Sequence, residues 1–140
     1  MTTAIDSNVI IGLLNSDDAL NTRARTSLDA AYAAGGLVIC GAVFAELHAS
    51  PGRTEEFVNS FLDETEIVVD WSSSETIWRS AGSAFQKYAS RRRRLKTSEP
   101  RRILTDFYIG AHAFAHGHRL LTLDDRIFRT SFPELSITKV

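Results

Sequence analysis

Short apolar runs punctuate the chain, and the stretches between them carry the three-to-four spacing of helices. Thr3-Ala4-Ile5 predicts a buried first strand that ends on Asp6. Leu37-Val38-Ile39-Cys40, Ile67-Val68-Val69 and Leu120-Leu121-Thr122 predict three more strands, each with an unbroken apolar character suited to burial on both faces. Residues 136–140 predict a short edge strand.

The intervening segments read as helices. Ser7 reads as the cap of a short helix over residues 8–14. Leu20, Ala24, Leu28, Ala31 and Tyr32 set a second helix over 17–34, stopped by Gly35-Gly36. Residues 42–49 return to helix and stop at Ser50-Pro51-Gly52, and Thr54-Glu55-Glu56 opens another through Leu62, with acids where the dipole favours them. The pattern Ser72-x-x-Glu75 has the form of a capping box ahead of a helix of about four turns that ends in an arginine run. A loop is expected over 97–100. Residues 103–116 are small or apolar on nearly all sides, which predicts a buried helix stopped by Gly117.

Strands alternating with helices imply an α/β fold. The expectation is a three-layer α/β/α sandwich with a short, mostly parallel central sheet of four to five strands, built as one domain over residues 1–140. Ligands of such folds bind outside the carboxyl ends of the strands, so the residues there decide the chemistry.

Composition excludes several classes. With 44% apolar and 24% charged residues the chain is neither disordered nor fibrous. Its longest uncharged run, residues 30–45, is interrupted by two glycines and falls short of the roughly 20 apolar residues of a membrane span. The single Cys40 cannot form an internal disulfide, and the start MTTAIDSN has an acid and no basic region, so a cytoplasmic protein is expected. Charge changes the picture more. The net charge is −1, yet residues 87–102 hold eight of the 16 cations against one acid, Glu99, which leaves the rest of the chain acidic.

Four carboxylates lie at element ends in apolar contexts: Asp6 after the first strand, Glu46 after the second, Asp106 in the first turn of the buried helix, and Asp124 just past the fourth strand. Carboxylates that converge without a counter-ion repel one another and destabilise the fold. A divalent cation removes that cost. An all-oxygen ligand set favours Mg²⁺ or Mn²⁺, and the chemistry suited to it is metal-assisted hydrolysis of a phosphodiester.

Ile5-Asp6-Ser7-Asn8, Ala45-Glu46-Leu47, the run from Asp106 to Ala113, Thr122-Leu123-Asp124 and the closing Phe128-Arg129-Thr130-Ser131-Phe132-Pro133 occur in this order along nearly the whole chain. On these residues the sequence resembles the PIN-domain family, in particular VapC-type toxins of prokaryotic toxin–antitoxin pairs. The resemblance implies an endoribonuclease in which Asp6, Glu46, Asp106 and Asp124 form the catalytic quartet. Asp6, Asp106 and Asp124 would hold Mg²⁺, with Mn²⁺ as a substitute. Glu46 would help to hold the metal or position the attacking water, and the Ser7 and Thr122 hydroxyls would orient the ligands. In-line attack would leave a 5′-phosphate and a 3′-hydroxyl. The resemblance further implies a VapB-type antitoxin that occupies the site, and a homodimer. Asp125 adjoins Asp124, and only the Thr-x-Asp spacing selects the latter; Asp125 is expected to pair with Arg126 or Arg129.

The basic segment fits an RNA substrate, because arginine pairs with phosphate and stacks on bases. Arg91, Arg92, Arg93, Arg94, Arg101 and Arg102 are the expected contacts, with a solvated loop or an acidic partner as the alternatives. His112 and His116 are four apart, but no Glu follows His112 as a zinc-protease motif requires. They lie about 240° and 280° around the helix from Asp106, so packing or surface roles are expected. Trp71, Trp78, Phe85 and Tyr88 are expected as core or dimer contacts, and Cys40 as a small buried hydrophobe. An aspartyl phosphotransferase of the haloacid-dehalogenase type needs a second Asp where this chain has Asn8. A response-regulator receiver needs an acidic pair where Asp6 stands alone. The remaining rival is a non-catalytic PIN-like module that binds RNA or a partner.

Overall fold

The computed structural model describes residues 1–15, 18–95 and 103–140. Its elements are β1 (Thr3–Ile5), α1 (Ser7–Leu14), α2 (Asp18–Ala34), β2 (Leu37–Cys40), α3 (Gly41–Glu46) with a 3₁₀ turn (Leu47–Ala49), α4 (Glu55–Thr65), β3 (Ile67–Asp70), α5 (Glu75–Leu95), α6 (Leu104–Ala115), β4 (Arg119–Thr122), α7 (Arg126–Ser131) and β5 (Ile137–Lys139). The loop expected over 97–100, the helix start at residue 17, and Arg101 and Arg102 lie outside the described residues.

All five strands are parallel, in the order β3-β2-β1-β4-β5. The register pairs Ala4 with Val38 on one side and with Leu120 on the other. β1 and β2 are buried at every position, whereas β3 and β5 at the edges open toward solvent. The continuous apolar runs of the sequence are therefore the central strands, covered on both faces. Connections run outward from β1 through β2 to β3, then cross back to β4 and out to β5. Right-handed crossovers place α1–α4 on one face and α5–α7 on the other. The helix packing agrees, since α5, α6 and α7 contact one another, as do α1, α2 and the 3₁₀ turn beside α4. The direction of winding reverses between β1 and β4, so the crevice at their carboxyl ends is the switch point of the sheet.

The core joins Ile5, Val9, Ile39, Val43, Phe107, Leu120 and Phe128, all nearly inaccessible. α6 is the buried helix that its composition predicts, with residues 107–113 buried in succession. Gly110 lets it sit this close: a Cβ there would lie 2.4 Å from Phe132 Cε2. Cys40 is buried, as expected of a small hydrophobe.

Several local expectations are corrected. α1 begins at Ser7 with Asp6 as its cap residue, because the Ser7 hydroxyl turns to Glu46 instead of capping the helix. The helix after β2 ends at Glu46 and tightens into the 3₁₀ turn. α4 runs on to Thr65 and closes on Glu66 in the left-handed region (φ 57°). The cap of α5 is Ser74, whose Oγ accepts from Ile77 N at 3.3 Å; Ser72 instead binds the Asp70 carboxylate. α5 spans 21 residues and takes in Arg91–Arg94, with Arg92, Arg93 and Arg94 in its last turn, where the helix dipole favours cations. Trp71 and Trp78 are exposed rather than core, while Tyr88 is buried.

Candidate functional site

The switch point gathers side chains from β1, α1, α3, α6 and β4. Asp6 leaves β1 with only 5% exposure and accepts a hydrogen bond from Thr122 Oγ1 at 2.8 Å on Oδ2. Asp124 N–H and Asn8 Nδ2 can only donate, and both lie on Thr122 Oγ1, at 3.2 and 3.4 Å. The hydroxyl therefore keeps its proton for an acceptor, and Asp6 Oδ2 at 2.8 Å is nearer than the Asp124 carbonyl oxygen at 3.3 Å. Asn8 Oδ1 meanwhile accepts from Leu123 N at 3.2 Å, so Asn8 ties the segment after β4 to α1.

Glu46, half-buried at the end of α3, accepts from Ser7 Oγ at 2.9 Å on Oε1. Asp106 lies half-buried in the first turn of α6, on the favourable end of that helix's dipole. Burial is the main cause that pushes the Asp6 carboxyl up from 3.8 to about 6, with the Thr122 hydrogen bond opposing it and the charges of Asp106 and Glu46 adding to it. Burial also raises Glu46, against the Ser7 hydrogen bond and together with the charge of Asp106. Three of the four expected carboxylates therefore sense one another, although they are 40 to 100 residues apart in sequence.

Asp124 arrives differently. Its backbone is bound to Thr122, but its carboxylate faces Arg126, with Oδ1–Nε at 3.1 Å and Oδ2–Nη2 at 3.2 Å. Asp125 pairs with Arg129, one of the two partners expected for it, and this hydrogen bond holds its carboxyl below the usual range. Asp125 is thereby turned away from the quartet.

The donor set at the switch point is all oxygen: Asp6, Glu46 and Asp106, with hydroxyls behind them. A carboxylate raised toward neutrality first by its burial and then by two neighbouring acids fits a hard dication, which would relieve both desolvation and repulsion. Two participants are not legible in the linear pattern. Asn8 belongs to a recognised motif, but its part as a bridge appears only when β4 lies beside α1. Arg126, one of the two partners expected for Asp125, binds Asp124 instead.

Arg91 and Arg92 flank the Tyr88 ring, with guanidinium carbons 5.7 and 5.8 Å from its centroid. Arg93 and Arg94 are exposed. Among the described residues no helix is long and apolar enough to cross a membrane.

His112 and His116 do stand apart from the acids. They share Asp70, at 2.8 Å from His112 Nε2 and 3.6 Å from His116 Nε2. Nothing in the linear pattern singles out Asp70.

Comparison with solved structures supports the fold. The chain is similar to VapBC2 from Rickettsia felis bound to a promoter DNA fragment (17% identity, TM-score 0.66, covering 100% of this chain and 99% of that one). It is also similar to VapBC-1 from nontypeable Haemophilus influenzae (21% identity, TM-score 0.64, 99% and 98% covered) and to DNA-bound VapBC from Salmonella typhimurium (19%, 0.60, 99% and 98%). No curated protein matches it by sequence. The PIN domain, as a sequence family, matches residues 3–133, across every element from β1 to α7. The chain belongs to the PIN-domain family.

Proposed function

We propose that this protein is a metal-dependent endoribonuclease of the VapC type, the toxin of a toxin–antitoxin pair. The observation that carries the proposal is the Asp6 carboxylate, buried at the sheet's switch point beside two further acids and held by the Thr122 hydroxyl at 2.8 Å. Such an arrangement costs stability unless a cation is bound, so it suits a protein that uses one.

Asp6, Asp106 and Asp124 would hold Mg²⁺ or Mn²⁺. Bound there, the ion would supply charge stabilisation at a phosphodiester and lower the pKa of water. Thr122 keeps Asp6 in its ionised orientation. Ser7 fixes one oxygen of Glu46, which leaves the other to accept a proton from the attacking water; a carboxyl raised by burial is better matched to that role near neutral pH. Asp124 would hold the ion in place of Arg126. Arg126 is 78% exposed, so this surface pair is weak, at about 0–1 kcal/mol. Arg91–Arg94 would lead the RNA backbone toward the acids, and Arg101 and Arg102 are further RNA contacts in this proposal.

The solved relatives are complexes of toxin and antitoxin, two of them with DNA. A VapB-type antitoxin and a homodimer, in the cytoplasm, are the assembly we propose by that likeness. The test is cleavage of total RNA by purified protein with Mg²⁺ or Mn²⁺, with EDTA, and with Asp106→Asn. Metal-dependent cuts absent from the variant support the enzyme. Binding without cutting, unchanged in the variant, would instead indicate a non-catalytic RNA-binding module.

A further inference from the structure

We propose a second metal site, separate from the acidic crevice, in which Asp70, His112 and His116 bind a transition-metal dication such as Zn²⁺. It joins the carboxyl end of β3 to the C-terminus of α6.

The ligand atoms of these three side chains all lie within 4.8 Å of one another. Zinc bound tetrahedrally to imidazole and carboxylate at about 2.0–2.2 Å separates its ligands by about 3.4 Å. The 3.6 Å between His116 Nε2 and Asp70 Oδ2 already has that spacing. The 2.8 Å contact of His112 Nε2 would open by about half an ångström on binding.

Hydrogen bonding orients the set from behind. His116 Nδ1 lies 2.9 Å from the His112 carbonyl oxygen, which can only accept. A ring proton is therefore on Nδ1, and Nε2 faces the Asp70 carboxylate, where a proton or a metal ion can join the two groups. A dication there would bridge them as the second proton of an imidazolium does in an ion pair. Asp70 is fixed in the same way, because its other oxygen, Oδ1, accepts from Ser72 N at 2.9 Å and from the Ser72 hydroxyl. Outer hydrogen bonds of this kind are what hold metal ligands in place. The C-terminal end of α6 adds a favourable field for positive charge. A fourth position remains for water or for His118, whose ring stacks on His116 with centroids 5.3 Å apart.

The two sites would sort their metals. Oxygen ligands in the crevice suit Mg²⁺ or Mn²⁺, whereas two imidazoles select Zn²⁺, Co²⁺ or Ni²⁺. Six residues separate Asp106 from His112, about 9 Å along α6, so the histidine site would act on stability and not on the phosphodiester.

The experiment uses untagged, chelator-stripped protein, titrated with Co²⁺ and followed by visible absorption, and melted with and without Zn²⁺. Expected is one equivalent of Co²⁺ with the intense bands of a low-coordinate nitrogen-containing site, and a Zn²⁺-induced rise in Tm of about 5 °C. Both are lost in His116→Ala, whose side chain is 35% exposed, and in Asp70→Asn; both persist in Asp106→Asn. Circular dichroism confirms that each variant is folded. Bands and Tm shift that survive in folded His116→Ala and Asp70→Asn, or that vanish in Asp106→Asn, would place the ion in the acidic crevice and overturn the proposal. So would the absence of Co²⁺ binding in the parent protein.

Discussion

Thr122 Oγ1 donates to Asp6 Oδ2 at 2.8 Å, closing the carboxyl ends of two strands that are neighbours in the sheet and 116 residues apart in the chain. The hydroxyl also accepts from Asp124 N–H and from Asn8, so one oxygen organises both sides of the crevice. Thr122→Val removes these three bonds, and the 3.3 Å contact to the Asp124 carbonyl oxygen, at nearly constant volume. It is expected to cost about 1–3 kcal/mol of stability, from an unsatisfied buried amide and a carboxylate without its donor. Metal affinity in cleavage assays should fall by about 10–100-fold. A Mg²⁺ titration of RNA cleavage, together with a thermal melt, checks both; an unchanged Mg²⁺ midpoint would remove Thr122 from the site.

The raised carboxyl of Asp6 predicts how stability follows pH in the absence of metal. A group near 3.8 in the unfolded chain and about 6 in the fold binds its proton more tightly when folded. Its contribution is therefore greatest below pH 4 and is lost as pH rises through 6, by about 3 kcal/mol in total. Asp6→Asn lacks this dependence. In EDTA, the stability of Asp6→Asn relative to the parent should rise between pH 4 and pH 7, while RNA cleavage in Mg²⁺ is abolished. Denaturant melts of the two proteins at both pH values measure the difference, and parallel curves would show that Asp6 is not strained by its neighbours.

Arg126 holds the Asp124 carboxylate in a fork that a metal bound at Asp124, as proposed, would have to break. Arg126→Ala is expected to leave stability within about 1 kcal/mol, because the arginine is largely exposed. The Mg²⁺ concentration for half-maximal cleavage should drop a few-fold. A rise in that concentration would mean that Arg126 serves substrate phosphate more than it competes with the ion.

Arg91–Arg94 close α5 beside Tyr88. Replacing them with glutamine should weaken RNA binding and flatten the slope of log affinity against log salt, by about 0.7 for each phosphate no longer neutralised. The Mg²⁺ midpoint should not move. Binding measured at several salt concentrations tests this, and an unaltered slope would make the run a solvated helix end.

Much of this is legible in the chain. Apolar runs of three or four residues locate the strands, and the mostly apolar run from Phe107 to Ala113 locates the buried helix, because burial on all sides leaves few polar positions. The acids at the ends of those elements are visible for the same reason: a charge beside an uninterrupted apolar run must sit at its edge. Boundaries set by competing hydrogen bonds are less legible. Ser7 and Ser72 both have the pattern of helix caps, and each is claimed by a carboxylate, Glu46 and Asp70 respectively.

The order of residues along the chain sets the elements and the chemical type of the groups at their ends. Which of those groups meet depends on how the elements pack. Strand order placed β4 against β1 and so brought Thr122 to Asp6. Packing of α6 carried His112 to Asp70, 42 residues away, and the turn after β4 set Asp124 against Arg126. The physical reason is range. Helix and strand signals arise between residues a few positions apart, whereas these contacts follow from which apolar faces bury each other, a property of the whole chain.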